Sequence, residues 1–350
     1  MRNAELASLR TPNSELRTCA TLRIETRGSV LLYVVWVVLL LSLFAAGVGS
    51  RALFALNLSR RLSEQLRAAY IARGAVRYAA LVLARDETPS FDGLNDRWSS
   101  GSLFREHQVD GGSFSVTGEA QIEGGAAAQF GLDDEERRVN LNTAPTDVLI
   151  RFLEAAGGLR GDDALAAAAA IEDWRDEDDD ERAGGAEGSY YRTLRDAYDC
   201  KDGPFENAEE LLLVKGISPA VYRNVEPYVT VYGSGRLNLN TAPEPVLRSL
   251  GLSTAGLAGF LAFRAGEDSE LGTSDDRALV AVSGLQSELE PYVPREDLAR
   301  FAKLIQAQFL TTSSEAFRMS IQARTDRPEG RMQVACVLDR KGNVKAWSER

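Results

Sequence analysis

A chain of 350 residues has room for two or three compact domains, and 44% hydrophobic with 26% charged residues is the balance of a chain that mostly folds. Its formal net charge of −11 argues against nucleic acid, whose phosphates attract basic surfaces. There is one histidine, His107, with no cysteine near it in sequence and no G-x-S-x-G or H-E-x-x-H, so no catalytic residue is assigned and the chain reads as a non-enzyme.

The chain opens on a 28-residue leader with five arginines and three glutamates, ending Arg27-Gly28. It lacks the A-x-A-like cleavage site of an ordinary secretory signal. Residues 29–49, SVLLYVVWVVLLLSLFAAGVG, carry no charge over 21 positions. As a helix they reach about 31 Å, the thickness of a bilayer core. Both flanks are basic, with Arg51, Arg60, Arg61 and Arg67 following, so charge alone does not orient the segment. Arg27-Gly28 set against Ser29 and the apolar run resembles a type IV prepilin leader. That resemblance implies cleavage between Gly28 and Ser29 by a prepilin peptidase and methylation of the new N-terminus. The fifth mature position, usually glutamate in that family, is here Tyr33.

Residues 50–84 continue without proline, and Leu53, Leu56, Leu62, Leu66, Ala69, Val76, Ala80 and Leu83 recur at helical spacing. One long helix is predicted, with an apolar stripe for a sheet to pack on and an end before Pro89. Residues 113–122 alternate as a strand. Then RVNLNTAPTDVL (138–149) returns 98 residues later as RLNLNTAPEPVL (236–247). Each copy predicts a short extended segment turning into a helix. Thr143 is expected to cap the first helix, with Pro145 in its first turn, and Thr241 and Glu244 to form a capping box in the second.

Between the copies, residues 162–175, 206–215 and 219–226 are predicted as helices and 228–232 as extended. The step Gly216-Ile217-Ser218 resembles a helix-hairpin-helix turn that lacks its second glycine, flanked by Glu206, Glu209, Glu210 and Glu226. Residues 254–308 read as mostly helical. FRMSIQAR, RMQVACVLD and VKAWS, separated by turns at Pro328-Glu329-Gly330 and Lys341-Gly342-Asn343, read as a three-stranded antiparallel meander.

Residues 172–181, EDWRDEDDDE, hold eight acids and one arginine, a run that repels itself unless it is solvated or neutralised by a cation. Asp176, Asp178, Asp180 and Glu187 fall at offsets 1, 3, 5 and 12 of an EF-hand loop, with Glu181 where the sharp-turn glycine belongs. The candidate metal ligands are Asp173, Asp176, Asp178, Asp180, Glu181 and Glu187, the expected cation is calcium in a structural role, and the alternative is a merely solvated loop. Cys19, Cys200 and Cys336 form no C-x-x-C pair; Cys200 and Cys336 either pair or stay separate buried thiols.

The order of these parts, above all two NLNTAP phrases flanking EELLLVKGI, resembles the K family of minor pseudopilins in type II protein secretion, over residues 27–350. The resemblance implies an α+β fold, in which a transmembrane pilin helix and a pilin-like antiparallel sheet are interrupted by a large helical insert with helix-hairpin-helix-like (SAM-like) units. The expected domains are a leader (1–28), a transmembrane helix (29–49), the first pilin-like part (50–140), the insert (141–310) and the second pilin-like part (311–350). It also implies calcium around the insert, a place at the pseudopilus tip beside minor pseudopilins I and J and the assembly platform, and an inner-membrane, single-pass protein with a periplasmic ectodomain. Tyr33 marks tip position: a glutamate there is neutralised by a neighbour's terminal amine, which a subunit with nobody ahead of it lacks. The competing reading is a membrane-anchored helix-hairpin-helix protein for DNA binding or uptake, against which the acidic flanks argue.

Overall fold

The computed structural model of the protein describes residues 27–118, 129–327 and 330–349. Cys19 and most of the leader, the end of the expected 113–122 strand and Pro328-Glu329 lie outside the described residues. The chain divides into two compact units, Met1–Arg60 and Arg61–Arg350.

Helix α1 (Arg27–Ala84) runs 58 residues without a break, as the absence of proline permits. In the first unit its side chains from Val30 onward are exposed, and this is the one helix among the described residues that is long and apolar enough to cross a membrane. In the second unit the buried stripe is Ala68, Ala72, Ala75, Val76, Ala79, Val82 and Leu83. The expected stripe was too long: Leu53, Leu56, Leu62 and Leu66 are all exposed. Small alanines, not leucines, let a helix backbone come close to a sheet.

Helix α2 (Gly101–Phe104) precedes strands β1 (His107–Val109) and β2 (Gly112–Thr117). Strand β3 (Asp133–Asp134) and β4 (Val139–Asn140) follow, then helices α3 (Thr146–Ala155), α4 (Asp162–Arg175), α5 (Gly188–Tyr191) and α6 (Pro219–Val225). Strands β5 (Val229–Thr230) and β6 (Leu237–Asn238) lead into α7 (Glu244–Ser249), α8 (Thr254–Arg264), α9 (Leu285–Leu289) and α10 (Arg295–Gln306). The chain closes through β7 (Leu310–Thr311), β8 (Ala316–Thr325), β9 (Arg331–Asp339) and β10 (Val344–Glu349). The main sheet is ordered β1-β2-β8-β9-β10, with β3 also pairing β8, so the expected C-terminal meander is present and β2 joins it in antiparallel register, Phe114 opposite Ala323. One core lies between this sheet and α1, with Trp98, Phe104, Phe114, Phe317, Met319 and Ile321 at its centre. A second, larger core fills the helical region from Val139 to Leu310.

The repeat is more than a corner. In the first copy β4 pairs in parallel with β5, Val139 opposite Val229; in the second β6 pairs in parallel with β7, Leu237 opposite Leu310. Asn140 Oδ1 accepts from the Asn142 N–H at 2.9 Å, and Asn238 Oδ1 from the Asn240 N–H at 3.0 Å. The next asparagine then clamps a distant backbone from both sides. Asn142 accepts from the Phe205 N–H (2.7 Å) and donates to its carbonyl (3.0 Å); Asn240 does the same to Leu279 (2.8 and 3.0 Å). An arginine at the end of the second helix closes each copy. Arg175 donates to the Leu141 and Ala144 carbonyls, and Arg264 to that of Ala242. The two copies are therefore two helix-pair modules, α3–α4 and α7–α8, built to one plan.

Several local expectations change. The first helix of each module starts at the residue after the prolines Pro145 and Pro243, and neither threonine caps it. Thr143 donates to the Gly235 carbonyl at 2.5 Å and Thr241 to Asp134 at 2.5 Å, because both hydroxyls are turned toward a neighbouring segment. A capping box does form, at Asn207 with Glu210, but it opens a short 3₁₀ turn, Ala208–Leu213, where a longer helix was expected. Residues 265–284 carry no α-helix, so 254–308 is helical only in α8, α9 and α10. Cys200 and Cys336 are free and buried, one in each core.

The asparagine clamp generates a prediction. Asn240→Ala leaves the buried Leu279 N–H and carbonyl without partners, and a buried unsatisfied group costs about 1–3 kcal/mol. The variant should be less stable by about 2–4 kcal/mol in denaturant melts, whereas the exposed Asn343→Ala on the β9–β10 turn should change stability by less than about 1 kcal/mol.

Candidate functional site

The acidic loop leaves the C-terminus of α4. Asp173, still on the helix, is fully buried and points inward. It accepts from the Ala186 N–H at 2.8 Å and from the Arg182 side chain at 2.8 Å, which folds the loop back on the helix. Arg182 also reaches Asp176 (2.5 Å) and Glu172 (3.3 Å) and so serves as the loop's own counter-charge. Lys215 donates to the Gly185 carbonyl at 2.7 Å and ties the loop to the segment after the capping box.

Of the six candidate ligands, Asp173 and Asp176 share the Arg182 guanidinium, and Glu187 lies near enough to feel the charge of both. Asp178, Asp180 and Glu181 are exposed, and Asp178 Oδ1 accepts from the Asp180 N–H at 3.0 Å. Glu187 is the anomaly. It is 2% exposed, yet neither carboxylate oxygen has a hydrogen-bond partner of ordinary geometry, and Asp176 Oδ1 is stranded in the same way. Burial pushes the Glu187 carboxyl up to about 7, with Asp173, Asp202 and Asp176 adding to the push and only the weak thiol donor of Cys200 opposing it. Glu187, Cys200 and Asp202 place one donor atom each within 4.8 Å of one another. A buried carboxylate with no partner is costly, so this donor set suits a cation.

A second polar cluster lies between the two cores. Asp134 accepts from the Thr241 hydroxyl (2.5 Å), the Ser314 hydroxyl (2.7 Å), the Asn238 amide (3.0 Å) and the Glu136 N–H (2.8 Å). Asp92 accepts from the Ser314 N–H (2.7 Å) and the Trp98 indole (3.1 Å) and is paired with Arg340. Glu136 accepts from the backbone of Ser234, Glu315 and Ala316. All three acids are buried. Burial pushes Asp92 up to about 7 against the opposing pull of Arg340, and burial with the nearby Asp134 pushes Glu136 up to about 8. Asp133, close by, goes the other way, since Arg138 and Arg137 outweigh its burial. His107 stacks on Tyr78 and Phe114 at ring distances of 4.4 and 4.9 Å, a packing role. Tyr33 is 71% exposed on α1. Gly28 and Ser29 lie in the first turn of α1.

Residues 131–234 match the family model for type II secretion system (T2SS) protein K. The chain is 31% identical over 232 residues to type II secretion system protein K of Pectobacterium carotovorum subsp. carotovorum, covering 64% of this chain and 69% of that one. It is 29% identical over 221 residues to type II secretion system protein K of Klebsiella pneumoniae, covering 61% and 65%. The chain belongs to the type II secretion system protein K family. It matches about two thirds of the length of these curated relatives. A chain of the crystal structure of the GspK-GspI-GspJ complex from the enterotoxigenic Escherichia coli type 2 secretion system has the same fold, with a TM-score of 0.61 at 16% identity over 86% of this chain and 99% of that one.

Three residues of interest carry no motif signal in the sequence. Cys200 and Asp202 stand more than ten residues past the acidic loop, and no spacing rule links them to Glu187. Asp134 sits in DDEERR (133–138), a charge run of the kind that usually marks a solvated surface. The available signal was its position, directly before the first NLNTAP phrase.

The carboxylate cluster sets a pH dependence. The native carboxyls of Asp92 and Glu136 titrate above the values of about 3.9 and 4.3 expected when unfolded. Their contribution is full below those values and lost as pH rises through about 7 and 8. In chelator-containing buffer, stability should fall by about 1–3 kcal/mol between pH 6 and pH 9. Asp92→Asn should be less stable at pH 6 and show a flatter profile by urea denaturation. An unchanged slope would show that Asp92 does not titrate there.

Proposed function

We propose that the chain is a minor pseudopilin that starts and caps the pseudopilus tip of a type II secretion system, anchored in the inner membrane by α1 with its C-terminal ectodomain in the periplasm. The observation that carries this is the large two-module helical region inserted between β4 and β7, within a chain whose sheet packs on the C-terminal turns of the same α1 that holds the apolar segment. Pilin-type subunits stack through their N-terminal helices, and a body of this size repeated along a fibre crowds its side neighbours. Tyr33 supports the same place, since it has no charge for a neighbouring amine to neutralise. Minor pseudopilins I and J are the proposed partners. The role is assembly, not catalysis, and the N-terminus is proposed to be cut between Gly28 and Ser29 and methylated. The acidic Glu209 and Glu226 stand exposed on either side of the Gly216-Ile217-Ser218 turn, which favours a packing unit over a DNA clamp.

The test is co-purification of the full-length protein with its pseudopilin partners. A hetero-complex with I and J, a mature N-terminus at Ser29 by mass spectrometry, and no homopolymer are expected. Cross-links that place the protein repeatedly along the shaft would overturn the tip assignment.

Calcium is the proposed structural ion of the acidic loop, held through Glu187 and Asp176, whose stranded oxygens fit a hard cation. Its chemistry is charge neutralisation, which lets the loop close on α4. A ligand bound only to the folded form at a hundredfold excess over its Kd adds about 2.7 kcal/mol. The melting temperature should rise with calcium and fall with chelator, and Glu187→Gln should remove the response. Asp178→Ala with Asp180→Ala should weaken it less, since both side chains are exposed. A melting temperature indifferent to calcium would sink the site.

A further inference from the structure

Alternation along the last strands puts Phe317, Met319, Val334 and Leu338 into the core against α1. Arg318, its strand neighbour Val337 and Ala346 opposite Val337 therefore lie on the other face of the sheet. Between that face and α6 with the segment after β5 runs a cleft of about 320 Å³. Its floor is small, with Ala335, Ala346 and Ser348, and its facing wall carries Tyr222 and Tyr232. Burial pushes the Tyr222 phenol up to about 12, and the charges of Glu209 and Glu226 add to the push. Burial also raises Tyr232, against the pull of Arg318 and with Glu135 and Glu209 adding. Both phenols thus stand within the field of Glu209. Glu209 and Glu226 are exposed, and neither side chain has an ion pair or hydrogen bond among the described residues. Arg318 is matched by the buried Glu135, so the surplus charge of the cleft is negative. Among the described residues β10 pairs only with β9, and its other edge offers backbone donors and acceptors where the cleft opens.

We propose that this cleft docks an extended segment of a partner protein, which pairs along β10 and places an arginine or lysine side chain against Tyr222, Glu209 and Glu226. Size selects the extended form. A space of 320 Å³ is about 7 Å across, too narrow for a helix about 10–12 Å wide but open to the side chains of a strand. Charge selects the side chain. Two carboxylates without partners beside an aromatic ring attract a cation both by ion pairing and through the negative face of the ring, and the small floor leaves room for its long stem. Backbone pairing along a sheet edge supplies affinity, and a pocket that takes alternate side chains supplies specificity. The docking depends on the cleft alone and not on where the subunit sits in a fibre.

The test titrates full-length protein in non-ionic detergent into a fluorescein-labelled hexapeptide in which threonine and arginine alternate, read by fluorescence anisotropy. Saturable binding is expected, weakening as salt is added. Citrulline in place of arginine keeps the shape without the charge and should abolish it, and N-methylation of alternate peptide amides should weaken it by blocking the strand pairing. Glu209→Gln/Glu226→Gln should weaken binding about tenfold. Asp163→Asn/Glu296→Gln removes two exposed charges elsewhere and should bind as the parent does. Tyr222→Phe, which keeps the ring, should also bind normally, whereas Tyr222→Leu should bind more weakly at an unchanged melting temperature. Absence of saturable binding, equal binding of the citrulline peptide, indifference to N-methylation, or an equal loss in Asp163→Asn/Glu296→Gln would overturn the proposal. Self-association of the protein that disappears in Glu209→Gln/Glu226→Gln would also overturn it, since the cleft would then take a second copy of the chain.

Discussion

A buried backbone turn must find partners for its amides and carbonyls, and the second core of this protein is organised around that requirement. Asn142 and Asn240 each meet it by gripping one distant residue, Phe205 or Leu279, at both its N–H and its carbonyl. Each grip fixes where a long excursion of the chain returns. Arg175 and Arg264 then cover the carbonyls that the corner itself leaves open. Without these polar contacts the apolar faces of α3, α4, α7 and α8 would still collapse, but nothing would select one arrangement of the loops between them.

The same logic joins the two cores. Asn238, on β6, and Ser314, just before β8, both donate to Asp134 on β3, while Asp92 grips the Ser314 backbone and Arg340 beyond the sheet. Five stretches far apart in sequence, around 92, 134, 238, 314 and 340, therefore meet at two carboxylates. Burial makes those carboxyls costly to ionise, and the surrounding donors recover part of that cost. A junction of this kind is specific because every donor has one geometry that satisfies it. It is also sensitive to pH, because the acids titrate where ordinary carboxyls do not.

The acidic loop after α4 lies away from this junction, with Ala186 set into the larger core and most of its acids outside it. Arg182 neutralises one side of the loop through Asp173 and Asp176, and Glu187 is left unneutralised on the other. The division explains why the loop keeps a defined path despite its charge. It also leaves the unneutralised carboxylate on the side that faces Cys200 and Asp202.

Much was readable from the sequence alone, for physical reasons that act locally. An uncharged run of bilayer length, an unbroken helical period to Ala84, alternation in the last three strands and a phrase repeated 98 residues apart each depend only on near neighbours or on literal identity. The alanine-rich segment 162–175 became α4 at its expected bounds. What the tertiary structure alone decided involves partners distant in the chain. Thr143 and Thr241 have the chemistry of helix caps, but the helices begin three residues further on, after Pro145 and Pro243, and the hydroxyls donate instead to the Gly235 carbonyl and to Asp134. The stripe of α1 moved onto alanines, since contact with a sheet selects for small side chains and periodicity cannot say where the sheet begins. Glu187 was visible as an acid at a suggestive spacing. That it lacks a partner, and that Cys200 and Asp202 stand beside it, follows only from the fold, which brings two segments together that no spacing rule connects.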